Sequence, residues 1–567
     1  MLIASGRSVD AYLRRVVEVA TADHAAALAA VTTRAATVRG LVVDFILDGK
    51  ASAPSPEVLA VEADEKFLFE AGPWLIGFVR EALLSASDRR RGGVHHTDPA
   101  LAGEVAGLAI ELLDRPHVEI VVVDPAVGGG VFLLAAAERL KAPPTEVVSR
   151  LHGCDIDPMA VAATRAALTI WSGGIEPPSA NLQVVDYLGP TVKVPSADLV
   201  IGNPPFLSQL KGTTARATSE RRNLANRWPG VGRYVDTAAA FMLAAVDGLV
   251  AGGVWALIQP DSVLGASDAA PVRARLAATA PVERIWIDDA RRFDAAIDTV
   301  ALIGREGSSG EVTVFGGVPA SESGVVSLPS PKSWAPLLAP ARGVPTVREI
   351  AVAGTLGDLA VTTAGFRDQF YGLRHAVKED EHTAVKLITS GLIDPLVNRW
   401  GTTSCRYDKR AWLHPAVVLE LVADDIRDWV TARLRPKVLV ASQTPTVEAI
   451  ADQDGVFVPC TPVVTVEPHD PDDVWRIAAL LTCPVTSALL AQAASGTALS
   501  ANALRVSASR LAELPIPADD GAWMAAAMAA RAGDVVATGA AMQQAFGIDD
   551  PVLVRWWHSR LPNRGAE

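Results

Sequence analysis

The chain has 567 residues, too long for one ordinary core, so two or three domains are expected. Half of it is hydrophobic, which excludes a disordered or fibrous protein, and its four cysteines, Cys154, Cys405, Cys460 and Cys483, form no Cys-x-x-Cys pair, which argues against a zinc cage or a disulfide frame. With 51 basic against 64 acidic residues the net charge is −13, which leaves a local basic cleft, not the whole surface, as the route to a polyanion.

The N-terminal stretch, residues 1–90, reads as helical: Val9 to Val17, Asp23 to Ile46 and Trp74 to Ala86 carry apolar residues at a spacing near 3.6. Its first residues, Met1 to Arg14, lack the cationic start and apolar centre of a secretory signal. The apolar stretches further on are broken by charge or by glycine turns, so a cytoplasmic protein without membrane contact is expected. From Glu119 the pattern becomes short β-branched runs separated by helical stretches, the alternation of an α/β sheet covered by helices on both faces. Seven strands are predicted: Glu119 to Val123, Leu151 to Asp155, Leu182 to Asp186, Asp198 to Ile201, Gly253 to Gln259, Arg284 to Asp288 and Thr299 to Gly304. Residues 306–350, rich in Gly, Ser and Pro, read as a linker. A mixed α+β module over 351–520 follows, with strands at Lys437 to Ala441 and Val456 to Val466 and a helix at Val474 to Ala494; 521–567 reads as a helical tail.

Chemistry concentrates at the strand ends. The run Val121 to Phe132 is a strand that ends in Asp124 and turns through Gly128, Gly129 and Gly130 into a helix; glycines let backbone approach a ligand closely, and the acid can hold a cationic or hydroxyl group. The next strand ends at Asp155, 31 residues on, where an acid accepts from ribose hydroxyls. Asp157 and Pro158 sit where a helix cap and first turn are expected. Asp186, ending the third strand, is placed to accept from an adenine amino group.

The decisive run is Asp198 to Phe206, a strand leading into Asn203, Pro204, Pro205 and Phe206. Prolines cannot donate and fix φ, so the carbonyls of this turn are held and left to accept. An exocyclic amine whose lone pair is delocalised into its ring needs such acceptors: hydrogen bonds to the Asn203 side-chain oxygen and the Pro204 carbonyl draw it toward sp³ geometry. Phe206 offers a ring face for an unstacked base.

These motifs, in this order, resemble the gamma-class N6-adenine DNA methyltransferases of type I and type II restriction-modification systems. The resemblance extends upstream to Gly93 to Ala102, similar to the family's Gly-x-x-Tyr-Thr-Pro segment, with His96 in place of Tyr and Asp98 inserted between Thr97 and Pro99. It implies a Rossmann-like methyltransferase domain over 91–305, a target-recognition domain over 351–520, and S-adenosylmethionine as cofactor. Carried over residue by residue, Thr97, Pro99, Asp124, Ala126, Gly128, Gly130, Asp155, Ile156, Asp186, Tyr187 and Asn203 would contact the cofactor, and Asn203, Pro204, Pro205 and Phe206 would act on a flipped-out adenine. The partner implied is double-stranded DNA, with a separate restriction or specificity subunit left open. Phosphate contacts are expected from the basic loop Lys211, Arg216, Arg221, Arg222, Arg227 and Arg233, and from Arg399, Arg406, Lys409 and Arg410 in the second domain; Lys437 reads equally as a solvated strand end. Glutamine, RNA or cytosine-N4 methylation with the same turn, and a DNA-binding subunit without turnover, are the competing readings. Asn at the head of the turn, where cytosine-N4 enzymes more often have Ser, and the long C-terminal module favour adenine in DNA.

Overall fold

A computed structural model of the chain describes residues 6–20, 22–85, 97–189, 192–206, 218–231, 236–287, 298–308, 310–347, 349–365, 367–379, 384–494, 504 and 506–562. The chain divides into two compact units, Met1–Leu337 and Leu338–Glu567.

The first unit is built on one mixed sheet. Its strands are β1 (Val122–Asp124), β2 (Leu151–Asp155), β3 (Leu182–Val184), β4 (Ala197–Gly202), β5 (Leu249–Pro260), β6 (Val282–Ile287), β7 (Thr299–Arg305), β8 (Glu311–Gly316) and β9 (Ser321–Ser327), in the order β9-β8-β6-β7-β5-β4-β1-β2-β3. The sheet thus has nine strands where seven were expected. The two extra come from the supposed linker: Val312 and Val314 alternate into the core, and β8 pairs parallel with β6 before turning back antiparallel into β9. Gly/Ser content there reflects a hairpin turn, and the boundary between the units falls later. From β3 through β5 every pairing is parallel, while β7 runs antiparallel between β5 and β6. The central strands are buried on both faces, as β4 shows with six consecutive buried residues, because helices cover each side.

The N-terminal helices α1 (Gly6–Val19), α2 (His24–Thr37) and α3 (Trp74–Leu83) share one hydrophobic cluster with α4 (Pro99–Ile110), α5 (Val131–Arg139), α6 (Pro158–Trp171) and the sheet. They belong to the same core as the sheet and form no separate body. The helix expected over Asp23 to Ile46 ends at Thr37; the chain leaves it at Gly40, with φ +69°, and enters a two-residue hairpin whose Asp48-Gly49 turn has both φ positive, a geometry that Asp-Gly favours.

In the second unit, an antiparallel sheet of β10 (Ala360–Ala364), β11 (Lys437–Val440), β12 (Ala449–Asp452) and β13 (Val464–Pro468) packs with helices from Val474 onward around one core that includes Trp523, Trp556 and Trp557. The tail expected over 521–567 is therefore helical but integral to this core. The helix expected over Val474 to Ala494 is two, Val474–Leu481 and Pro484–Ala494, bent by 67° because Pro484 cannot continue the first helix and starts the second. Lys437 is fully buried in an ion pair with Asp452, so it is no solvated strand end. Among the described residues no single helix is long and apolar enough to cross a membrane.

Candidate active site

β1 lies between β2 and β4, so the chain leaves it in opposite directions and opens a crevice at the carboxyl ends of the parallel strands, the usual ligand position of such sheets. Register sets who meets there: Val122 pairs with Leu199 and Val123 with Val200, which brings the Asp124 end of β1 level with the Ile201–Gly202 end of β4. A Cβ on Gly202 would lie 2.5 Å from Asp124 Oδ1, so only glycine lets the two strand ends come this close. Asp124 is 1% exposed. Its Oδ1 accepts from the Ala126 N–H at 2.9 Å; burial, with the Asp155 charge adding to it, raises the carboxyl to about 8.

Gly128 and Gly130 have φ of +52° and +83°, and Gly130 starts α5, so the turn presents backbone N–H groups at a helix N-terminus. One of these, Gly128 N–H, donates to Asp155 Oδ2 at 3.0 Å, while Asp157 N–H donates to Asp155 Oδ1 at 3.0 Å. A carboxylate has about four lone-pair sites, so about two remain on Asp155, one on each oxygen, a match for two vicinal hydroxyls. Burial pushes its carboxyl above the usual range, with those backbone N–H groups pulling against it. Next to it Ile156 is 73% exposed, a large apolar side chain left uncovered beside a polar anchor. Asp157 caps α6 through Met159 N–H, as its sequence position suggested.

Asp186 accepts from Leu188 N–H at 3.0 Å. The Tyr187 ring is turned inward, 5% exposed and stacked at 6.1 Å on Phe241 of the helix Thr237–Asp247; burial pushes its hydroxyl up.

Asn203 follows β4 directly. Its Nδ2 donates to Thr97 Oγ1 at 3.0 Å, and its Oδ1 is buried without a hydrogen-bond partner among the described residues. Pro204 is buried, and Pro205 and Phe206 are half-buried, Phe206 packed against the core. Thr97, expected at the cofactor, is 4% exposed, and its hydroxyl accepts from the amide of Asn203. The inserted Asp98 is the N-cap of α4, accepting from Ala100 N–H at 2.7 Å, and Pro99 is the first residue of that helix.

The expected phosphate contacts divide. Lys211, Arg216, Arg233 and the Arg221 side chain lie outside the described residues. Arg222 is exposed on the helix Thr218–Arg227, whereas Arg227 sits 3.5 Å from Asp247 and 4.6 Å over the Trp228 ring, an intramolecular clamp. In the second unit Arg399 is tied to Asp394 at 2.6 Å. Arg406, Lys409 and Arg410 are exposed on a hairpin, Cys405–Tyr407 with Arg410–Trp412, whose tip residues Asp408 and Lys409 both have positive φ. Arg406 and Lys409 border a groove of about 690 Å³ with Arg374 and Tyr371.

Residues 80–285 match the family model described as N-6 DNA Methylase, about a third of the chain. No curated protein sequence matches. Among solved structures the chain is similar to the type IIG restriction endonuclease BpuSI at 12% identity, covering 98% of this chain and 80% of that one with a TM-score of 0.49. It is similar to the type IIL restriction-modification enzyme MmeI, solved in complex with DNA, at 12% identity, 94% and 87% coverage and a TM-score of 0.48. A type I restriction-modification methyltransferase subunit from Streptococcus thermophilus is 19% identical over 46% of this chain and 56% of its own, with a TM-score of 0.34.

Proposed function

We propose, from the match of residues 80–285 to the N-6 DNA Methylase family model and the geometry of the strand-end crevice, that the chain transfers a methyl group from S-adenosylmethionine to N6 of an adenine flipped out of double-stranded DNA, in restriction-modification. The observation that carries this reading is the Oδ1 of Asn203, buried and without a hydrogen-bond partner among the described residues, one residue after the Gly202 that meets Asp124, while Thr97 occupies the other end of the amide. A buried acceptor without a donor is costly, and an amine brought by a substrate satisfies it.

The residues present fit the cofactor. Asp155 has about two acceptor sites left for ribose hydroxyls, Ile156 is free to cover an adenine ring, and Asp124 faces the strand-end crevice where an ammonium would be stabilised. The cofactor, once bound, supplies an electrophilic methyl on a sulfonium. Asn203 Oδ1 and the Pro204 carbonyl accept the two N6 hydrogens and aim the nitrogen lone pair, Pro205 keeps the turn rigid, and Phe206 stacks on the extruded base. N6 becomes positive as it takes the methyl and then sheds its proton to water, so no strong base is needed. The second unit would read the sequence, with Arg406, Lys409 and Arg410 on the exposed hairpin and Arg222 in the first unit gripping phosphate. Modification-sensitive long-read sequencing of DNA from cells producing the protein tests this: N6-methyladenine at one recurring motif, lost in Asn203→Ala, is the expected result.

A further inference from the structure

Arg80 is a cation inside an apolar helix. On α3, Trp74 to Val79 are all buried, and Arg80 itself is 4% exposed. Its Nη2 lies 2.6 Å from Asp157 Oδ2, and its Nε and Nη1 are buried with no hydrogen-bond partner among the described residues. One turn earlier on the same face, Gly77 meets the glycine turn backbone to backbone: a Cβ on Gly129 would lie 2.5 Å from Gly77 Cα. Helix α3 therefore touches both parts of the crevice, the glycine turn through Gly77 and the Asp155–Asp157 turn through Arg80.

We propose that Arg80 is a positioning residue of the cofactor site, bracing the turn that carries Asp155 against the glycine turn so that its free oxygens face the ribose. The inference rests on the reading of this crevice as the S-adenosylmethionine site. A guanidinium with two buried donors unsatisfied among the described residues is a poor stabiliser of a fold, because its desolvation is not matched by hydrogen bonds there. Its partner Asp157 is partly exposed, with 36% side-chain accessibility, and already caps α6, so removal of the arginine leaves a carboxylate that water can reach. What the arginine does supply is position and charge. It fixes Asp157, whose own N–H holds Asp155 Oδ1, and its charge favours the ionised form of Asp155 against the opposing Asp157. An ionised Asp155 keeps all its lone pairs for accepting, whereas a protonated one gives up a site.

The test measures the affinity of the full chain for S-adenosylmethionine by calorimetry, and the melting temperature of the free protein, for wild type, Arg80→Met and Arg80→Lys. Arg80→Met is expected to weaken cofactor binding at least about tenfold, the worth of roughly one charge-assisted hydrogen bond, while the free protein melts at the same temperature or higher; Arg80→Lys restores part of the affinity. Wild-type affinity in Arg80→Met, or a loss of affinity that follows a matching drop in melting temperature, overturns the inference and leaves the cofactor reading standing. A wild-type protein that binds no S-adenosylmethionine overturns both.

Discussion

Thr97 Oγ1 accepts a hydrogen bond from Asn203 Nδ2 at 3.0 Å, joining residues 106 apart in the chain. The bond occupies Nδ2 and leaves Oδ1 without a partner among the described residues. With Nδ2 engaged, the oxygen is left to accept from a substrate amine; with the amide reversed, a donor would meet a donor. Thr97→Val should therefore slow methyl transfer by about tenfold to a hundredfold, the worth of one mispositioned buried hydrogen bond, with little change in cofactor affinity. Thr97→Ser should retain most of the rate. Single-turnover methylation alongside cofactor titration distinguishes the two effects.

Phe206 stands at the end of the same turn, half-buried. If a base stacks there, Phe206→Ala costs about 1–3 kcal/mol of that stacking and Phe206→Tyr costs little. Fluorescence of 2-aminopurine at the target position reads the unstacked base directly, and the alanine variant should lower its enhancement.

Much of this site was legible because its chemistry lies in contiguous runs. Asp124 with its glycine turn, Asp155, and Asn203 to Phe206 each end a β-branched strand, and parallel pairing of β1 with β2 and β4 brings those ends together. Contacts between distant segments were not legible. The sequence presents Thr97 only as part of a family segment, and nothing in it says that the hydroxyl turns to Asn203. Arg80 left one signal, a charged residue three positions after Gly77 on an otherwise apolar helix face, which periodicity treats as a solvated edge. The strands β8 and β9 were hidden because glycine and serine at a hairpin outweighed the alternating valines, and Lys437 because a buried pair looks, from one strand, like an exposed end.

The Asp124 carboxyl, raised to about 8 by burial and by the neighbouring Asp155, gives the free protein a pH dependence. Between the ordinary carboxylate value near 3.8 and about 8 the folded state holds a proton that the unfolded state has released. Stability should fall as pH rises through that window and level off above it, by up to a few kcal/mol. Asp124→Asn removes this component, so the variant should melt higher than wild type above about pH 8 and yet bind cofactor more weakly. Thermal melts across pH, with and without S-adenosylmethionine, check both.

In the second unit the Lys437 ammonium is fully buried against Asp452, which also accepts from Val456 and Phe457 N–H groups at 3.0 Å each. Lys437→Met leaves that carboxylate buried without its cation and should destabilise the unit by about 3–5 kcal/mol. Adding Asp452→Asn should recover part of the loss. Denaturant titration of the single and double variants measures it.

The hairpin cations Arg406, Lys409 and Arg410 are exposed, whereas Arg399 is already paired. If the three touch phosphate, each alanine substitution should weaken DNA binding and lower the slope of log affinity against log salt by about 0.9. Arg399→Ala should leave the slope unchanged. Binding isotherms at several salt concentrations separate the two groups.

Transfer of tritium from methyl-labelled S-adenosylmethionine, followed by digestion of the DNA to nucleosides and chromatography, bears most directly on the role given to Asn203. The label should appear in N6-methyldeoxyadenosine with the wild type and be absent with Asn203→Ala. Label in N4-methyldeoxycytidine, in RNA or in protein, or equal incorporation by the two proteins, would contradict it.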